Sequence, residues 1–166
     1  VRPDIRRLAA AAMLVSLVTL TGCTGDADKP TLDEATKLLI AEGDRILASQ
    51  DLASSGSAAA TERADRNSEV GCLKGQVQRF FRAEGYFKDP PYVPAPSNAV
   101  GLMASALRLR SYEVIVDNAD LGDENLGTAV LRHPTSGITF LIAVRTAQKP
   151  NIMIVGKTGC YPQMVS

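Results

Sequence analysis

GITFLIAV, residues 137–144, and NIMIVG, residues 151–156, decide the fold. Each is an apolar run bounded by turn residues: His133-Pro134-Thr135-Ser136-Gly137 leads into the first, and Lys149-Pro150-Asn151 leads into the second. Short runs rich in β-branched and aromatic residues between turn signals are strands. A strand without polar alternation sits in the middle of a sheet that is covered on both sides. Upstream, TAVLRH (128–133) and YEVIVD (112–117) read as two more strands, and the second alternates with Tyr112, Val114 and Val116 on one face. The acidic loop NADLGDENLG separates these two. Four strands joined by short connections predict an antiparallel meander over the last third of the chain.

The middle of the chain supplies helices and one more strand. After Pro30, Thr31 and Glu34 have the spacing of a capping box, in which each side chain satisfies an amide of the other's residue at a helix start. Leu32, Ala35, Leu38, Leu39, Ile46 and Leu47 then recur at helical spacing, with Gly43 a mild weakness. A second helix is expected over NAVGLMASALRLR (98–110), capped by Ser97, with Val100, Met103, Ala104 and Leu107 on one face. Residues 50–71 are rich in Ala, Ser and charge, with almost no large apolar side chain, and read as a mobile loop. A strand is expected from about Gln76 to Ala83, followed by a proline-rich extended strap, KDPPYVPAPS. The expected fold is therefore α+β: two helices packed on one face of a mostly antiparallel sheet of about five strands, in the order α-β-α-β-β-β-β.

The first 22 residues have another character. Arg2, Arg6 and Arg7 precede an apolar run from Leu8 to Leu20, which as a helix would rise about 20 Å, short of a hydrocarbon core of about 30 Å. This is the layout of an export signal. Leu20-Thr21-Gly22-Cys23 closes the run and resembles the lipobox of bacterial lipoproteins. The resemblance covers residues 1–23 only. It implies removal of residues 1–22, a diacylglyceryl thioether on Cys23, and a new amine at Cys23 open to acylation by a fatty acid such as palmitate. Two acyl chains anchor stably where one binds only marginally. The layout behind it is similar to small lipoproteins of unassigned activity in high-GC Gram-positive bacteria. The domains expected are a signal peptide at 1–22, a lipidated tether at 23–30 and a single α+β domain at 31–166, with the loop at about 50–71.

With Cys23 lipidated, Cys72 and Cys160 are the remaining pair of the three cysteines. An extracytoplasmic setting favours a disulfide between them, worth about 4–5 kcal/mol on the chain-entropy model. A metal pair or a redox pair are the rivals, although neither residue belongs to a C-x-x-C motif and His133 is the sole histidine.

Charge is balanced, with 18 basic and 18 acidic residues, and tryptophan is absent. No global field recruits nucleic acid, and no aromatic platform for bases or sugars is evident. Removing residues 1–22 takes away three Arg and one Asp and leaves 15 basic and 17 acidic residues. In the acidic loop Asp117, Asp120, Asp123 and Glu124 suggest calcium, but the third and fifth positions counted from Asp117 are Ala119 and Leu121, which breaks the EF-hand pattern. His133 lies three residues before Ser136 without a G-x-S-x-G around that serine. Glu84, Glu113 and Asp117 could supply a carboxylate pair only if the fold joined two of them. GKTGC (156–160) lacks the spacing of a phosphate loop. Arg79, Arg82, Arg108, Arg110 and Arg132 could gather into one basic surface facing anionic polymer or lipid.

The function expected is a membrane-anchored lipoprotein on the extracytoplasmic face. It would act as a non-catalytic binding module of the cell envelope, with no cofactor, no metal and no catalytic set. Its partners are the membrane, through Cys23, and a protein or envelope component. An envelope hydrolase with a site assembled by the fold, and a structural or assembly factor, are the alternatives.

Overall fold

A computed structural model describes residues 29–88, 95–117, 121–146 and 149–163. Helix α1 (Leu32–Leu47) starts where the capping box places it. The Thr31 amide donates to Glu34 Oε2 at 2.8 Å and the Glu34 amide to Thr31 Oγ1 at 3.3 Å. A short helix α2 (Gln50–Ser55) follows and runs into strand β1 (Gly56–Arg63). Strands β2 (Gln76–Val77) and β3 (Phe80–Phe87) precede helix α3 (Pro96–Arg108). The meander is β4 (Glu113–Val116), β5 (Leu126–Arg132), β6 (Thr139–Arg145) and β7 (Ile152–Lys157), and β8 (Tyr161–Pro162) closes the order.

The fold is α+β, and its main sheet is antiparallel throughout with the order β1-β3-β7-β6-β5-β4. The four-strand meander holds. β3 returns beside β7, with Phe80 opposite Lys157, so the first long strand after Cys72 lies next to the last one before Cys160. β2 and β8 form a separate two-stranded ribbon.

The sequence expectation fails in several places, each for a physical reason. The loop expected at 50–71 contains α2 and β1, which gives the main sheet six strands rather than five. β1 carries small residues because it is an edge strand packed close to its neighbour. A Cβ on Gly56 would come within 2.2 Å of the Tyr86 carbonyl oxygen, and Ala58 and Ala60 are the side chains that pack on the core. The strand expected at Gln76–Ala83 is two pieces, because Gln76 and Val77 pair with β8 and the sheet strand begins at Phe80. Helix α3 begins at Pro96, with Ala95 at the N-cap and no side-chain cap, so Ser97 lies inside the helix. Proline suits the first helical position because its fixed φ is helical and it lacks an amide hydrogen that would go unpaired there. Residues 89–94 of the strap lie outside the described residues.

A further correction concerns coverage of the sheet. Leu39 and Ile46 of α1, Leu52 of α2, and Val100, Met103 and Leu107 of α3 share one core cluster with Phe81, Ala83, Leu131, Phe140, Ile142 and Ile154 from the strands. Helices cover that face. On the other face Val130, Leu141 and Val155 lie in one cross-strand row and are only half-buried, and Met153 is exposed. This row lines an open recess together with Arg82, Thr139, Met153 and Lys157 of the same sheet. Gly43 proves to be a packing requirement rather than a weakness, since a Cβ there would sit 2.5 Å from the Phe81 ring.

Candidate functional site: a cationic groove where the chain enters the domain

Lys29 and Pro30 lead into α1 across the β5–β6 turn. That turn is built by local chemistry. The His133 amide donates to the Ile138 carbonyl at 2.9 Å, and the Gly137 amide to the His133 carbonyl at 2.9 Å. Gly137 has φ of 68°, in the left-handed region that glycine enters without cost. The Ser136 amide donates to His133 Nδ1 at 3.2 Å, and Ser136 Oγ accepts from the Ile138 amide at 3.4 Å. His133 and Ser136 are therefore joined, but as parts of a turn: the ring nitrogen faces an amide, not a hydroxyl.

Between this turn, the start of α1 and the β2–β8 ribbon lies a groove of about 580 Å³. Lys29 and Arg132 line it, with Thr31, Gln76, Thr135, Ser136 and Tyr161, and no Asp or Glu is among its described lining residues. Cys160 is at its wall. The Tyr161 phenol is pushed up from its ordinary value by burial, with Lys29 acting in the opposite direction and Glu34 adding to the rise. It stays a neutral donor. A second, more open recess beside the groove shares Lys29 and adds Lys37, Leu38, His133 and Glu34. Glu34 is held below its ordinary value, first by the Thr31 amide and then by the Thr31 hydroxyl, with Lys37 also lowering it. That carboxylate is already engaged by the helix cap.

The disulfide Cys72–Cys160 forms, with Cα atoms 5.7 Å apart and the two positions 88 apart in sequence. It ties the segment before β2 to the segment after β7. Beside it the Gln78 side-chain amide donates to the Val70 carbonyl, and Ser68 pairs with Gln78 as an isolated bridge. The pairing removes Cys72 and Cys160 from the supply of thiols.

Most of the other sequence candidates are dispersed. Glu84 lies on β3 and Glu113 on β4, four strand spacings apart, or about 19 Å, beyond the range of either glycosidase geometry. Asp117 follows β4 and lines a small recess with Arg108. Asp123 accepts from the Asn125 amide at 2.9 Å as a turn closure, and Asp120 lies outside the described residues. The segment at 156–160 joins β7 to β8 with no helix behind it. Three of the five arginines expected to form one surface are neutralised where they stand. Arg79 donates to Asn67 and Asp33, Arg82 to Glu62 while lying over the Phe80 ring at 4.5 Å, and Arg110 to Glu42. Arg132 remains, in the groove.

Sequence reasoning passed over Glu42. It is 5% exposed on α1, and Arg110 reaches both of its oxygens at 2.8 Å while Arg45 reaches one at 3.1 Å. The bond to Glu42 raises Arg110 further above its ordinary value. The buried Tyr112 is also raised, by burial first and then by the Glu42 charge, with Arg110 opposing. A signal was present, because Glu42 sits three residues after Leu39 and four before Ile46, on the apolar stripe of the helix.

Among the described residues there is no group of three His, Cys, Asp or Glu that could hold a metal ion, and no helix is long and apolar enough to cross a membrane. No protein-family model, curated protein or solved structure matches this chain.

Proposed function

We propose that this chain is a lipid-anchored lipoprotein of the extracytoplasmic membrane face, acting as a non-catalytic binding module of the cell envelope. The observation that carries the reading is the disulfide. Pairing of Cys72 with Cys160 fits an oxidising compartment and leaves Cys23 as the one remaining thiol, at the end of the apolar run and directly after Leu20-Thr21-Gly22. A thiol at that place is the nucleophile that lipid transfer requires. Support for binding rather than catalysis comes from the uses to which the candidate groups are put: His133 and Ser136 close a turn, Glu42 is clamped by two arginines, and the carboxylates are spread across the sheet.

Replacing Cys23 by Ala tests the anchor. Fractionation of the producing cells is expected to move the protein from the membrane to the soluble fraction or the medium. Full retention of Cys23→Ala in the membrane overturns the reading.

A further inference from the structure

We propose that the groove between Lys29, Arg132 and the β5–β6 turn binds the phosphate of anionic phospholipid headgroups and so holds this end of the domain against the bilayer. The inference rests on the anchored reading and names what the module binds. Cys23 and Lys29 are six positions apart in the chain, a reach of about 20 Å even when fully extended. Lys29 is itself part of the groove wall, so an anchored Cys23 keeps the groove within that distance of the headgroups.

The donor set fits a phosphodiester. Lys29 and Arg132 supply positive charge across a groove that has no carboxylate among its described lining residues. Arg132 makes no ion pair among the described residues, although Glu113 stands opposite it on β4. The Thr135 hydroxyl has no partner there either, and Tyr161 stays protonated and able to donate. Phosphate oxygens accept from all of these groups. On the open sheet face Lys157 lies in the same cross-strand row as Arg132, two strands away through Thr139, which continues the positive edge toward β3. A basic side chain close to an anionic leaflet strengthens attachment by about fivefold. Two in the groove give about twenty-five-fold.

The test uses mature lipidated protein in vesicles of phosphatidylcholine alone or of phosphatidylcholine mixed with phosphatidylglycerol. Sedimentation with the pure phosphatidylcholine vesicles reads the anchor alone. Amide exchange across Thr135–Gly137 and Tyr161–Gln163 reads the groove. Exchange is expected to slow only where phosphatidylglycerol is present. The slowing should fall about fivefold in Lys29→Gln or Arg132→Gln and vanish in the double variant. It should also vanish in about 1 M salt, where the Debye length is about 3 Å. Both side chains are exposed, so unchanged melting of the variants is expected to accompany the loss. Equal exchange in the two lipids overturns the proposal and leaves the anchor standing. Protection by inorganic phosphate in detergent, with none from phosphatidylglycerol vesicles, assigns the groove to a soluble anion and overturns it as well. Failure to sediment with phosphatidylcholine, together with protection by phosphatidylglycerol, removes the anchor and keeps the groove.

Discussion

Phe140 and Leu141 stand side by side on β6 and face opposite sides of the sheet. Phe140 is fully buried: its ring lies 6.0 Å from Tyr112 in an edge arrangement and fills the space that Gly156 leaves open. Leu141 is half-buried in a row with Val130 and Val155, and its cover comes from those neighbours in its own sheet. Side chains that look interchangeable in a continuous apolar run therefore do different work. The inner face sets stability, and the outer face shields one strand with the next.

Substituting these two residues gives the largest expected contrast. Phe140→Ala removes a packed ring and leaves a cavity, a loss of about 3–5 kcal/mol. Leu141→Ala gives up part of a side chain already in contact with water, a loss of about 1 kcal/mol. Urea unfolding of the two variants at neutral pH measures both. Equal losses would break the distinction between the faces and imply that something outside the described residues covers the outer one.

Glycines sharpen the same contrast at about 1–3 kcal/mol. Gly43 of α1 is pressed against Phe81 on the inner face, and Gly101 of α3 has open space where a Cβ would go. Gly43→Ala is expected to destabilise by overpacking. Gly101→Ala should stabilise by about 0.5–1 kcal/mol through helix propensity. Melting curves in which both changes act in the same direction would show that α1 does not approach the sheet so closely.

How legible each element was depends on the scale of the interaction behind it. The capping box at Thr31 and Glu34, the meander from β4 to β7 and the Cys72–Cys160 pair could be read because each has a local or arithmetic signature. β1 could not. Its Ala58 and Ala60 look like loop composition until β3 supplies the partner and α1 and α2 supply the cover. The open face was misread because apolar runs record contact, and neighbouring strands can provide contact without a second layer. In the groove, Arg132 was singled out as one of five arginines, but the other four were not known to stand elsewhere. Lys29 went unnoticed because its role depends on where the β5–β6 turn lies, some hundred residues downstream.

The polar cluster at the edge of the core gives the next prediction. Glu42 lies at the inner face but its partners reach water, since the Arg110 and Arg45 side chains are about half exposed. Removing one partner of a fully buried ion pair costs about 3–5 kcal/mol. Here the arginines can rehydrate, so Glu42→Gln is expected to lose about 1–2 kcal/mol, between a core truncation and a surface change. A loss as large as that of Phe140→Ala would place the cluster inside the core; no loss would show the pair to be a surface contact. Glu42→Leu separates charge from volume, because its apolar side chain suits the stripe on α1 that Leu39 and Ile46 define.

Tyr112 gives the smallest effect and the most specific one. Burial raises its phenol above the ordinary value of about 10, and the Glu42 charge acts in the same direction. The folded chain therefore keeps a proton that the unfolded chain releases. Full stability is present below about pH 10 and declines as pH rises above it, with a slope of at most about 1.4 kcal/mol per pH unit from this group. Tyr161, raised to a lesser degree on the groove side, adds to the decline in the same sense. Tyr112→Phe keeps the ring against His133 and Phe140 and removes the titration, so its stability should fall less steeply than that of the parent chain between pH 10 and 11. Lysines and arginines titrate in both proteins, and the difference between the two slopes isolates Tyr112. Parallel slopes would mean that the phenol meets water in the folded state, and the inner face would then end at Phe140 rather than at Tyr112.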